Sequence, residues 1–170
     1  MKNLQIRSMV SGAIFAALIC VSTMFFPVSI GHGFVNIGDC FVILSGCLLG
    51  GGFGVAAAAV GASLADILLS YAIYAPATFI IKALMSFFAA FTFNKLRKRS
   101  FFLSSIIACI VSEVIMIVGY FTYEFFAFGF GGAAAGVTGN LMQGAVSSVF
   151  AILILAILNK NTSIRKFFRL

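Results

Sequence analysis

Nine polar side chains carry the chemistry open to this chain: Asn36, Asp39, Tyr74, Lys82, Glu113, Tyr120, Glu124, Asn140 and Gln143. They stand in long apolar runs, where a charged or amide group is costly and usually marks a working site. Asn140 and Gln143 are three residues apart, so on a helix both amides point the same way. Glu113, Tyr120 and Glu124 fall at i, i+7 and i+11, again one helical face. An amide offers donor and acceptor, a carboxylate accepts, and a phenol ring stacks. Such a set suits a small flat polar ring bearing hydroxyl or amine substituents, with aromatic faces against it and polar groups fixing its orientation. Hydrogen bonding between helices is the structural alternative for the amides.

Asp66, Tyr71, Thr78 and Tyr123 belong to the same polar population. Asp66 lies near the end of a small-residue helix, and Lys82 lies roughly 9 Å below the start of the next at 1.5 Å per residue. Their depths are similar, so they either form an ion pair or meet a ligand. Asp39 opens a short helix, where it either contacts ligand or caps free N–H groups.

Other chemistries find no support. His32 is the single histidine, and it lies in a loop. No nucleophile–base pair and no HExxH are visible. Cys20, Cys40, Cys47 and Cys109 lie in apolar runs without CxxC spacing and read as small core residues. Nothing in the pattern asks for a metal or another cofactor, and GxxxxGK[ST] is absent, so this chain is expected to be no enzyme. A proton-coupled carrier using Glu113 or Asp66 is a rival reading. A channel is another, without a repeated filter-like segment to support it.

The elements that position these groups are membrane helices. Of 170 residues, 62% are hydrophobic and 9% charged, against roughly a quarter charged in a soluble domain. At about 20 residues per span, the chain predicts a single domain: an all-α integral membrane bundle of six transmembrane helices at about 6–28, 39–49, 53–69, 76–94, 101–126 and 137–158. Pro27 ends the first helix and Pro76 starts the fourth. The first apolar run is too long for a signal peptide and reads as an uncleaved helix. The second is short, so a tilt or the preceding loop must fill its depth. A glycine hinge (Gly50, Gly51, Gly52, Gly54) precedes the third helix, and a Gly-rich loop at 128–132 precedes the sixth.

The formal charge of +7 is a topology signal rather than a nucleic-acid footprint. The basic residues gather at the N-terminus, at Lys95–Arg99 and at the C-terminus, with Lys82 the exception. The positive-inside rule then predicts both termini in the cytoplasm, and the four acids from mid-membrane outward. On the first helix, Gly12, Ala13, Ala16 and Ala17 form small-xxx-small rows that permit close helix approach, either within the chain or with a partner.

The runs NIGD (Asn36–Asp39), ADILLSY (Ala65–Tyr71), YAPATFIIKALM (Tyr74–Met85), SEVIMIVGYFTYEFF (Ser112–Phe126) and GNLMQG (Gly139–Gly144) resemble the substrate-binding S components of energy-coupling factor (ECF) vitamin transporters. The likeness runs from about Met9 to Leu158 and is nearest the hydroxymethylpyrimidine/pyridoxine branch, close to the riboflavin-type S components. It implies an ABC-type importer subunit in a bacterial cell membrane that captures a small water-soluble vitamin at the outer face. The alternatives are riboflavin or another vitamin as substrate, and a stand-alone proton-coupled carrier. It also implies partners: a transmembrane coupling subunit and two cytoplasmic ATPases. In that family an alanine-x-x-x-alanine row docks on the coupling subunit, and Ala13 and Ala17 match it.

Overall fold

A computed structural model describes residues 2–25, 28–30 and 33–168. Helix α1 runs Lys2–Phe25. A two-stranded antiparallel hairpin follows, β1 (Val28–Ile30) with β2 (Gly33–Val35), where a loop was expected. Then come α2 (Gly38–Leu49), α3 (Gly51–Leu68), α4 (Ala75–Leu96), α5 (Phe101–Lys160) and the short α6 (Thr162–Phe168). His32 and Pro27 lie outside the described residues.

The helical membrane-type bundle is as expected, but the count is corrected. Five helical runs, α1 to α5, are described before the short α6, rather than six, because the predicted fifth and sixth helices are one run of 60 residues. No Gly-rich loop separates them. Phe130 to Gly136 are helical, and Gly129 alone breaks the run, at φ 78° and ψ 178°. Only glycine adopts that backbone region readily. The run doubles back there. Cys109 Sγ lies 4.0 Å from the Ser148 carbonyl oxygen, whereas a straight helix would hold those residues about 58 Å apart. The rings of Phe121 and Phe130 are 6.4 Å apart across the corner. The two arms, 101–128 and 130–160, therefore pack antiparallel.

A second corner joins α2 to α3, with Gly50 at φ 61° and ψ −177°. Its N–H closes α2 on the Gly46 carbonyl at 2.9 Å. Gly51 shares the corner, at φ 42°, whereas Gly52 and Gly54 are helical. Gly54 sits against the Ser45 carbonyl, and Ser45 Oγ donates back to the Gly54 carbonyl at 3.1 Å. Ser100 caps α5 by accepting from the Leu103 N–H, 3.3 Å.

Packing follows side-chain size. α2 is about 18 Å long, short of the roughly 30 Å membrane core, and ten of its twelve residues are buried. Around it lie Phe15, Ala57, Ala89, Phe93, Ala108, Ala151 and Leu155, with Cys40, Cys47 and Cys109 as small fillers. A second cluster packs Ile19, Val42, Ala58, Ala62, Ile81, Met85 and Met116, at the depth nearer the α3–α4 turn. α1, α3, α4 and α5 are long and apolar enough to cross a membrane. Their outward residues are apolar too, such as Ile14, Val21, Val60, Ile80, Val149 and Leu153. A bundle with lipid as its solvent is built this way.

The small rows of α1 divide by face. Gly12 and Ala16 turn inward, where Gly61 of α3 lies so close to Ala16 that a Cβ on it would be 2.5 Å from the Ala16 carbonyl oxygen. Ala13 and Ala17 are exposed.

Candidate functional site

Every long helix sends polar groups to one end of the bundle, around a cavity of about 500 Å³ including its open mouth. α1 supplies Thr23, and Asn36 comes from the turn before α2. α3 contributes Ala62 and Asp66, and the α3–α4 turn Tyr71 and Tyr74. α4 contributes Thr78 and Lys82. The first arm of α5 brings Tyr120 and Glu124, and the second brings Asn140 and Gln143. Seven of the nine residues singled out from the sequence line this cavity. Asp39 and Glu113 do not.

Asp39 lies behind the lining and organises it. Lys82 Nζ donates to Asp39 Oδ1 at 2.5 Å. Gln143 Nε2 donates to Asp39 Oδ2 at 2.6 Å. Gln143 Oε1 in turn accepts from the Asn36 N–H at 3.0 Å and from Asn36 Nδ2 at 3.3 Å. Asn36 Oδ1 accepts from the Gly38 N–H at 2.7 Å and from Thr23 Oγ1 at 3.4 Å. Asp39 and Lys82 are 1% and 4% exposed. Isolated, either charge would be expensive there, but paired and hydrogen-bonded they can persist. The network ties α1, α2, α4 and the second arm of α5 into one floor. Gly38 is part of its geometry, since a Cβ there would stand 2.7 Å from Asn36 Oδ1.

This floor decides against two of the alternatives that the sequence leaves open. Lys82 pairs with Asp39 rather than with Asp66, because α2 rather than α3 presents its carboxylate to the lysine. Nor does Asp39 cap α2. The helix starts at Gly38 after Ile37, with no side-chain cap bond, and Asn36 Oδ1 takes the Gly38 N–H instead.

The walls are aromatic and acidic. The Tyr74 ring lies 5.3 Å from that of Tyr123, 6.1 Å from Phe128 and 6.4 Å from both Tyr71 and Tyr120. Tyr74 OH donates to Glu124 Oε1 at 3.2 Å. Burial first, and the Glu124 charge behind it, push the Tyr74 hydroxyl above its usual range, so it stays a neutral donor. Tyr120 OH and Thr78 Oγ1 are 2.9 Å apart, and Lys82 Nζ stands 5.2 Å over the Tyr120 ring. Asp66 is 5% exposed, and its Oδ2 meets no hydrogen-bond partner among the described residues.

Glu113 sits deeper, between the arms of α5, where Gly144 leaves room for its carboxyl group. It shares a helix face with Tyr120 and Glu124, as its spacing predicts, but not the cavity. Thr23, Ala62, Asp66, Tyr71 and Thr78 complete the lining without having been among the nine. For Thr23 and Thr78 the signal was a hydroxyl at a helix end within an apolar run. Ala62 gave none.

Chemically this is a place for binding and orientation. It offers ring faces, donors and acceptors, with an ion pair locked beneath them.

Two comparisons bear on its use. The model of the family described as ECF-type riboflavin transporter, S component, matches residues 3–160. An uncharacterized protein in the gap 3′ region of Pyrococcus woesei is similar, 28% identical over 137 residues, covering 77% of this chain and 86% of that protein.

Proposed function

The chain belongs to the S-component family of ECF-type riboflavin transporters, the substrate-binding membrane subunits of those importers, and from that premise we propose that its cavity captures a small, water-soluble, ring-shaped vitamin at the outer face of a bacterial cell membrane. Pyridoxine or hydroxymethylpyrimidine is the cargo that suits it best. The observation carrying this reading is the cavity itself, in which Tyr71, Tyr74 and Tyr120 stand beside donors and acceptors from five parts of the chain. Stacking and orientation of a compact nitrogen ring need that combination. Riboflavin is the second reading, favoured by the family description.

The binding residues of this reading are Asn36, Tyr74, Lys82, Tyr120, Glu124, Asn140 and Gln143 around the ligand. Asp39 holds Lys82 and Gln143 in position, and Glu113 stands one layer below. A transmembrane coupling subunit and two cytoplasmic ATPases supply the drive. Exposure of Ala13 and Ala17 on α1 supports their use as the docking row.

Orientation follows from charge. Lys82 and Lys95 lie about 20 Å apart along α4, so the basic cluster stands at the opposite end from the cavity. The positive-inside rule puts that cluster, and both termini with it, in the cytoplasm. A cysteine introduced at either terminus should resist an impermeant thiol reagent in intact cells.

The decisive experiment is mass spectrometry of small molecules retained by the purified protein, followed by calorimetric titration with the vitamin found. Retention of no vitamin-like ring, and no binding on titration, would sink the proposal. Accumulation in vesicles by this protein alone under a proton gradient would mean a self-sufficient carrier instead.

A further inference from the structure

We infer that the cavity selects neutral or cationic rings carrying hydrogen-bond donors, with Asp66 Oδ2 accepting one of those donors, and that it rejects phosphorylated and carboxylated relatives of the same rings. This rests on the reading of the cavity as a vitamin site and narrows its cargo.

The argument starts from which polar groups are already committed. Gln143 spends its carbonyl oxygen on Asn36 and one amide N–H on Asp39. Asn36 Oδ1 is taken by Gly38 and Thr23. Lys82, the one cation among the described lining residues, is neutralised by Asp39 at 2.5 Å. Asp66 differs. It lines the cavity, it is 5% exposed, and its Oδ2 has no hydrogen-bond partner among the described residues. A buried polar atom in that condition is rare enough to need a reason. A ligand hydroxyl, amine or ring N–H meeting it would remove the penalty.

Charge points the same way. Asp66 and Glu124 face the cavity as two carboxylates. The ammonium of Lys82 is paired with Asp39, so only part of its charge is left to act on Asp66. An arriving phosphate or carboxylate meets like charge in a weakly screened site. A cationic or donor-bearing ring meets complementary charge.

The test is a calorimetric panel on the purified full-length protein: pyridoxine, its 5′-phosphate, 4-amino-5-hydroxymethyl-2-methylpyrimidine and nicotinic acid. The expected result is binding of at least one uncharged or amino-bearing ring, with both anions weaker by about a hundredfold or more. Asp66→Asn should weaken the favoured ring by about tenfold and narrow the gap to its anionic relative. The wild-type panel needs no variant, so a misfolded Asp66→Asn protein leaves the selectivity test standing. Binding of pyridoxine and its phosphate with equal affinity overturns the inference while leaving the vitamin site intact. Unchanged selectivity in a folded Asp66→Asn protein removes Asp66 from it. Binding of none of the four, nor of riboflavin, overturns the underlying reading as well.

Discussion

Lys82 and Asp39, 43 residues apart in sequence, form a buried ion pair that joins α4 to α2 beneath the cavity. Removing one partner strands a charge, whereas removing both charges leaves packing largely intact. Lys82→Met alone should therefore cost about 3–5 kcal/mol. Lys82→Met combined with Asp39→Asn, which keeps an acceptor for Gln143, should recover most of that loss. Unfolding in detergent, followed for the wild type, Lys82→Met, Asp39→Asn and the double variant, gives the coupling directly. Strictly additive costs of the two single changes would mean that the pair adds nothing.

The corner in α5 makes a sharper comparison possible. At Gly129 a Cβ would meet nothing within 4 Å, so the obstacle to a side chain is the backbone conformation alone. Gly129→Ala should lose about 1–3 kcal/mol. Gly131, two residues on, has equal space and helical dihedrals. Gly131→Ala should be neutral or gain up to about 1 kcal/mol. Thermal melts of the two variants side by side would expose a straight or differently bent segment if they responded alike.

The two amides of the second arm should separate. Gln143 is 3% exposed and bonded to Asn36 and Asp39, so Gln143→Ala should lower both thermal stability and ligand affinity. Asn140 is half-buried in the cavity wall. Asn140→Ala should weaken binding by about 1–3 kcal/mol while the melting temperature holds. Calorimetry and a melt on each variant test this, and loss of stability in Asn140→Ala would assign that amide to the framework instead.

Helix α1 offers a third separation, by face. Ala13→Leu or Ala17→Leu projects from the outside of the bundle, so folding and ligand binding should persist while uptake in cells falls. Gly61→Leu drives a side chain into the Ala16 backbone and should destabilise the isolated protein. Uptake at the wild-type rate in both alanine variants would remove this row from partner docking.

Much of this architecture was legible in the sequence, and the failures share a cause. Depth along a helix follows from residue count, so Asp66 and Lys82 were rightly assigned to neighbouring levels. Azimuth does not follow from residue count, and the lysine turns toward α2, where Asp39 waits in the first turn. Proline marked the start of α4 to within one residue, because its missing N–H suits only that position. Glycine was less informative at 128–132, since Gly131, Gly132 and Ala133 to Ala135 are as compatible with a helix as with a loop. Only the dihedrals at Gly129 reveal which residue makes the bend. Of the candidate site, seven residues were visible because amides, acids and phenols stand out against an apolar background. Ala62 is wall, and no polarity marks it.

The shortness of α2 has a consequence for how the protein is made. Twelve residues with a carboxylate in the first turn are a poor independent insertion signal for a bilayer. On a growing chain, Asp39 leaves the ribosome well ahead of Lys82, and its counter-charge does not yet exist. α2 is therefore expected to settle only once α4 has arrived, sliding into a bundle whose longer helices are already in the lipid. Chains arrested between α3 and α4 should show α2 accessible to water-soluble reagents, and chains extended past α4 should not.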